Sequence, residues 1–179
     1  MNKYPISLKY GVIAGIIMIV IIMLIYWGGA AKLAGFLPVL AYIPLIFLMI
    51  WGGVTARRKL GGFENFRQAF LTVFIISFTA NIMFTSFNYV LFKVVDPSIP
   101  QIIKQKEIEA LSEFLEQKGT HDEESERQLK ELKEQDPAPT IQGLLRNYLL
   151  WAVIGAIFSA LIGLFVNRPD ERPVIKAEE

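Results

Sequence analysis

Four stretches of this 179-residue chain carry no charged side chain: residues 10–31, 33–56, 68–92 and 147–167, of 22, 24, 25 and 21 residues. At about 1.5 Å of rise per residue, helices over them measure about 33, 36, 37 and 31 Å, against a hydrocarbon core about 30 Å thick. Each reaches across a bilayer with residues left for tilt or for the interface. Only helices and closed barrels satisfy every backbone group in lipid. The stretches show no strict alternation and are about twice the length of a barrel strand, so helices are expected. The chain reads as all-α: a polytopic membrane protein forming a single membrane domain. Four transmembrane helices are expected near 8–27, 36–56, 68–92 and 145–166, with a helical hairpin over 97–143 in a long extracytoplasmic loop and a cytoplasmic tail, 167–179. All 18 Lys/Arg and 17 Asp/Glu lie outside the four stretches, which excludes a soluble or disordered protein. The net charge of +1 argues against nucleic acid as a partner, and the absence of cysteine removes disulfides, thiol catalysis and Cys metal sites.

Basic residues near span ends set the direction. Arg57, Arg58, Lys59 and Arg67 make the densest basic patch, between spans 2 and 3, and Lys3, Lys9, Arg168, Arg172 and Lys176 flank the termini. The opposite side has Lys32, Lys93 and Arg146 beside its spans. Both termini and the Arg57–Arg67 connection are therefore expected to face the cytoplasm. Span 1 is too long for a signal-peptide core and ends in Tyr26-Trp27, an interfacial anchor, so it is expected to remain as an uncleaved anchor.

Helices in lipid associate by close backbone approach and occasional polar contacts. Gly11 and Gly15 form a GxxxG in span 1. Gly155, Ser159 and Gly163, flanked by Ala152, Ala156 and Ala160, make a small-residue face in span 4. Packing within one chain is the expected use, with a homo-oligomer as the alternative. Pro38 is expected at the start of span 2 and Pro44 inside it, kinking the helix by removing a donor from Leu40. Span 3 is the polar one: Ser77, Asn81, Thr85 and Asn88 fall within about 80° of arc at helical spacing. A carboxamide facing lipid is left unsatisfied, so this stripe is expected to point inward, making contacts between helices or lining a site for a small solute. No ionisable Asp, Glu, His, Lys or Arg lies inside a span, which argues against proton pumps, ion-coupled carriers and voltage sensors.

The second connection pairs Gly61-Gly62, suited to a sharp turn, with Phe63, Phe66 and Phe70 at helical spacing, read as a short interfacial helix. Its four cations, Arg57, Arg58, Lys59 and Arg67, are candidate contacts for anionic lipid. The third connection opens at Asp96-Pro97. A helix is expected to Lys118, then a turn at Gly119, a capping box from Thr120 to Glu123, a second helix to Gln135 and a stop at Asp136-Pro137. Residues 94–143 hold six Lys/Arg against twelve Asp/Glu. Asp122, Glu123, Glu124 and Glu126 lack EF-hand spacing, and His121 is the sole histidine, so a solvated acidic face is expected and no metal. No nucleophile elbow, phosphate loop or zincin helix is present.

These residues together resemble a family of small bacterial membrane proteins, domain-of-unknown-function family 4199. The resemblance runs from span 1 through span 4. It is carried by Lys59-Leu60-Gly61-Gly62-Phe63, Phe66 and Ala69-Phe70, supported by Asp96-Pro97 and Ser159-Ala160-Leu161-Ile162. It implies a four-span bacterial inner-membrane protein and brings no substrate, cofactor or active residue. The expected function is a non-enzymatic structural or interaction component whose partners are the lipid bilayer and another membrane protein or copy of itself. The alternative is an oligomeric small-solute channel or transporter using the span 3 stripe.

Overall fold

The computed structural model describes residues 4–63, 65–118, 123–134 and 136–167. Six α-helices and no strand occur among them: α1 (Tyr4–Trp27), α2 (Tyr42–Leu60), α3 (Phe66–Val90), α4 (Ile99–Lys118), α5 (Glu123–Glu134) and α6 (Ile141–Val166). Four segments are long and apolar enough to cross a membrane: Pro5–Trp27, Leu37–Leu60, Phe66–Val95 and Ile141–Val166.

The bundle is built for lipid. Leu149, Val153, Leu161 and Phe165 of α6, Ile43 and Phe47 of α2, and Ile16, Val20 and Leu24 of α1 all stand exposed. Apolar patches on a water-soluble monomer rarely exceed a few hundred Å², whereas a hydrocarbon solvent leaves such a belt at no cost. The chain is a multi-pass membrane protein.

Helix α3 lies at the centre, in contact with α1, α2 and α6, and is the most buried of the four spans. That position explains its composition, because only a helix shielded by others can carry amides and hydroxyls without facing lipid. Ala14, Met18 and Ile22 of α1, Leu45 and Met49 of α2, and Val73, Ile76 and Ala80 of α3 form the apolar core.

Two turns explain the path. Gly61 and Gly62 both take positive φ (74° and 125°), and Gly62 N–H closes on Arg57 C=O at 3.0 Å, ending α2. Asn65 then caps α3, its side-chain oxygen accepting from Gln68 N–H at 3.0 Å. Helix α3 runs unbroken from Phe66, so the aromatic triplet forms no separate interfacial helix. Phe66 and Phe70 belong to its first turns, and Phe63 packs on the core from the loop. The expected kink at Pro44 is also replaced. Residues Leu37–Ala41 form a 3₁₀ turn and α2 begins at Tyr42, which puts Pro44 in a first turn, where backbone N–H groups lack partners anyway.

At the end of the bundle away from Arg57, α3 widens into a π-turn, Leu91–Val95, and the chain enters α4 through Asp96. Because α1 and α3 run parallel, their ends meet there. The Tyr26 hydroxyl donates to Asp96 Oδ2 at 3.0 Å, and Asp96 Oδ1 accepts from both the hydroxyl and the N–H of Ser98. Ile99 is fully buried below, and α4 rests on the 3₁₀ turn Ala30–Leu33 of the first connection. Helix α5 packs on α4, and Lys104 Nζ, near the start of α4, donates to the Lys133 carbonyl near the end of α5 (2.7 Å). These contacts make the pair antiparallel. The turn at Gly119, Thr120, His121, Asp122 and the tail from Arg168 lie outside the described residues, as do the side chains of Glu123, Glu124 and Glu126.

The Ser98 hydroxyl is the largest of the groups that hold the Asp96 carboxyl below its ordinary value. The Ser98 N–H and Tyr26 hydroxyl add to it, and partial desolvation opposes it. A carboxylate with a lowered folded pKa stabilises the fold above its unfolded value and loses that contribution as pH falls through the folded value. Protection of the amides from Ser98 to Ile102 against hydrogen exchange should therefore hold at neutral pH. It should drop as pH falls below the ordinary carboxylate range near about 4. Asp96→Ala should show the low protection at every pH and abolish the acid step; an acid step that persists in this variant belongs to another group.

Candidate functional site

The polar stripe of α3 and the cleft above it are the most chemically varied region of the spans. Ser77 and Asn81 are buried at mid-helix. Asn81, 3% exposed, donates through Nδ2 to the Ser77 carbonyl (2.9 Å) and to Ser77 Oγ (3.3 Å). Both partners belong to its own helix. Its Oδ1 is buried and has no hydrogen-bond partner among the described residues. Swapping amide oxygen and nitrogen does not help, since it sets oxygen against the Ser77 carbonyl.

Other polar groups in the spans behave the same way. Thr72 Oγ1 donates to the Gln68 carbonyl (2.7 Å) and Ser159 Oγ to the Gly155 carbonyl (2.6 Å), each one turn back. Such back-bonds satisfy a hydroxyl while keeping its residue small. The Tyr10 hydroxyl does cross between helices, donating to Thr55 Oγ1 at 3.3 Å.

Small residues bring the helices together. A Cβ at Gly11 would stand 2.7 Å from Thr79 Cβ and 2.9 Å from the Ile76 carbonyl of α3; one at Gly15 would meet Met83 at 3.1 Å. A Cβ at Gly155 would lie 2.6 Å from Ser77 Oγ, and one at Gly163 would lie 3.2 Å from the Phe70 backbone. Ser159 is fully buried between them on the same helix. Gly11 and Gly15 thus lie on the α1–α3 seam, and Gly155 and Gly163 on the α3–α6 seam. Ser77 sits against α6 at Gly155.

Thr85 and Asn88 continue the stripe into a cleft of about 310 Å³ between α3, the return from α5 and the start of α6. Tyr89, Asp136, Thr140 and Asn147 supply its other polar walls. Asn81 lies one helical turn below Thr85, outside that lining. A second cleft of about 300 Å³, between α4 and α5, adjoins the first through Phe92, Asp136 and Pro139. Asp136 Oδ1 is engaged by the Ala138 N–H at 2.9 Å and Thr140 Oγ1 by the Gly143 N–H at 3.0 Å. Sequence reasoning reads Asp136 only as a helix stop and does not single out Asn147, Thr140 or Tyr89, because nothing local tells which residues gather around Asn88 once the helices assemble. Among the described residues no group of three or more Asp, Glu or His is placed to hold a metal ion.

At the opposite end, Arg57, Arg58 and Lys59 form the last turn of α2, where cations complement the negative end of the helix dipole, and Arg67 sits in the first turn of α3. Arg58, Lys59 and Arg67 are exposed.

The family model described as "Protein of unknown function (DUF4199)" matches residues 9–168, from the first span through the last. No curated protein and no solved structure matches the chain.

Proposed function

From the premise that this chain belongs to the DUF4199 family, we propose that it is a non-enzymatic interaction component of a bacterial inner membrane, presenting α4 and α5 outside the cell membrane as a docking element. One observation supports this reading above others: the α4–α5 pair is seated on the bundle, not tethered to it. Ile99 is fully buried and Asp96 joins Tyr26 to Ser98, so the direction of α4 is set by the spans. A charged helical pair held in fixed orientation has already lost the freedom that a partner would otherwise remove on binding.

The proposed orientation places Arg57, Arg58, Lys59, Arg67 and both termini in the cytoplasm, since retained cations beside spans mark that side. There the same four side chains contact anionic headgroups. Deleting residues 101–135 across a short Gly-Ser bridge should leave four inserted spans and remove proteins that cross-link to the full chain in native membranes. A deletion that keeps every cross-linked partner would show that docking lies elsewhere, on the span faces.

One observation favours a second reading, a small-solute pathway: the unpaired Asn81 Oδ1 near mid-membrane beneath a cleft walled by Thr85, Asn88 and Asn147. Under it, Asn81→Leu with Asn88→Leu abolishes solute flux in proteoliposomes while the fold survives; unchanged flux removes the pathway.

A further inference from the structure

We propose that the groove between the α4-side end of α1 and the 3₁₀ turn Leu37–Ala41 leading into α2 binds one anionic phospholipid, its phosphate on Lys32 and one acyl chain along Leu24 and Leu37. This groove, about 310 Å³, is walled by Ile21, Leu24, Leu37 and Leu40, with Gly28 and Lys32 on its rim. Its walls are the lipid-facing sides of two spans, so the molecule available to fill it is a component of the bilayer.

The first connection is folded to hold a cation there. Gly29 (φ 125°) breaks α1 and Gly35 (φ 88°) reverses the chain again, conformations that side-chain-bearing residues rarely adopt. Between them Leu33 is pinned in the core and the Lys32 N–H bonds to the Gly29 carbonyl at 2.9 Å. The Lys32 ammonium is thereby carried back over the end of α1. A Cβ built at Gly28 would lie 3.2 Å from Nζ, so the ammonium rests close against the end of α1 at Gly28. Lys32 is the only charged residue between Lys9 and Arg57, and among the described residues it forms no ion pair.

Depth and charge select the ligand. Trp27 and Phe36, 76% and 72% exposed, flank the rim, and exposed aromatics of this kind mark the headgroup level. A headgroup with its own ammonium partly neutralises its phosphate and competes with Lys32. A phosphodiester without an internal cation presents its full charge. One lysine near the surface then corresponds to a preference on the order of fivefold for the anionic lipid. Lys32 also lies at the negative end of the α1 dipole, so a purely structural role is the competing explanation and the test must separate the two.

Full-length protein, Lys32→Glu, Leu24→Trp and the control Lys93→Glu would be purified in mild detergent. Each would be incubated with phosphatidylglycerol or phosphatidylethanolamine and examined by native mass spectrometry, with melting followed in parallel. The wild type should hold one phosphatidylglycerol per chain in preference to phosphatidylethanolamine. Lys32→Glu should lose the preference, Leu24→Trp should lose both lipids, and Lys93→Glu should match the wild type. Equal retention of the two lipids by the wild type, or an undiminished preference in Lys32→Glu, overturns the assignment. So does displacement of the lipid by millimolar inorganic phosphate, which would mark a site for a free anion. Should Lys32→Glu lose stability as well, a Leu24→Trp protein that melts normally yet retains lipid equally overturns it.

Discussion

Gly11→Leu should leave a protein that no longer melts cooperatively in detergent, because α1 and α3 cannot close around the added side chain. Even a methyl group there meets Thr79 Cβ at 2.7 Å and the Ile76 carbonyl at 2.9 Å, and a backbone oxygen in the central helix has nowhere to go. Two opposing effects decide the milder Gly→Ala series. Replacing glycine inside a helix gains about 0.8–1.0 kcal/mol of propensity, whereas overpacking costs about 1–3 kcal/mol. At Gly11 overpacking wins, and Gly11→Ala should lower the melting temperature. At Gly15 an added Cβ meets Met83 Cβ and Sδ, each at 3.1 Å; the thioether can swing aside but the Cβ is fixed to α3, so Gly15→Ala should lower the melting temperature by less than Gly11→Ala does. At Gly155 the obstacle is Ser77 Oγ, at 2.6 Å, so the loss in Gly155→Ala should be largely restored by Ser77→Ala. Melting curves in one detergent check all five; a Gly11→Leu protein that melts like the wild type would mean that α1 and α3 do not pack as described.

The second large effect is expected at Asn81, where two substitutions of similar size should diverge. Asn81→Asp places an acid near the centre of a span, costing about 2.5–3.5 kcal/mol on insertion scales. It also replaces the amide donor that Ser77 accepts from with a second acceptor. The yield of folded protein should fall sharply. Asn81→Leu gives up two bonds made within one helix and removes a buried carbonyl that has no partner. The change leaves the buried Ser77 Oγ without that amide, a loss of about 1–3 kcal/mol that removal of the unpartnered carbonyl offsets by a similar amount, so the leucine protein should melt within about 1 kcal/mol of the wild type. Comparing folded yield and melting for the pair checks this. A leucine variant as damaged as the aspartate variant would show that the Asn81 oxygen has an essential partner.

The spans were legible because charge is excluded from hydrocarbon by energies that no local packing overrides, and the uncharged gaps report that exclusion directly. Gly61-Gly62 was legible for a similar reason, since positive φ at two consecutive positions leaves few alternatives to glycine. Pro44 misled because its effect depends on where the helix begins. With a 3₁₀ turn ahead of Tyr42, its missing donor falls among groups that have no partner anyway. Phe63, Phe66 and Phe70 misled because helical spacing is the same whether a segment stands alone or opens a longer helix. At the candidate site, Ser77, Asn81, Thr85 and Asn88 could be named from spacing. Their partners could not, because the register of α3 against α6 is set by contacts such as Gly155 on Ser77, between residues far apart in the chain. The Tyr26–Asp96 bond and the seat of α4 on Ala30–Leu33 are likewise products of assembled helices.

The chain has no cysteine, so single cysteines report their surroundings without background. Glu109→Cys on α4 and Arg58→Cys at the end of α2 should be treated in intact cells with a membrane-impermeant maleimide. Four spans with α4 and α5 outside predict that the position-109 cysteine is labelled at once and the position-58 cysteine only after the membrane is opened. Labelling of position 58 in intact cells, or protection of position 109 there, would contradict that arrangement.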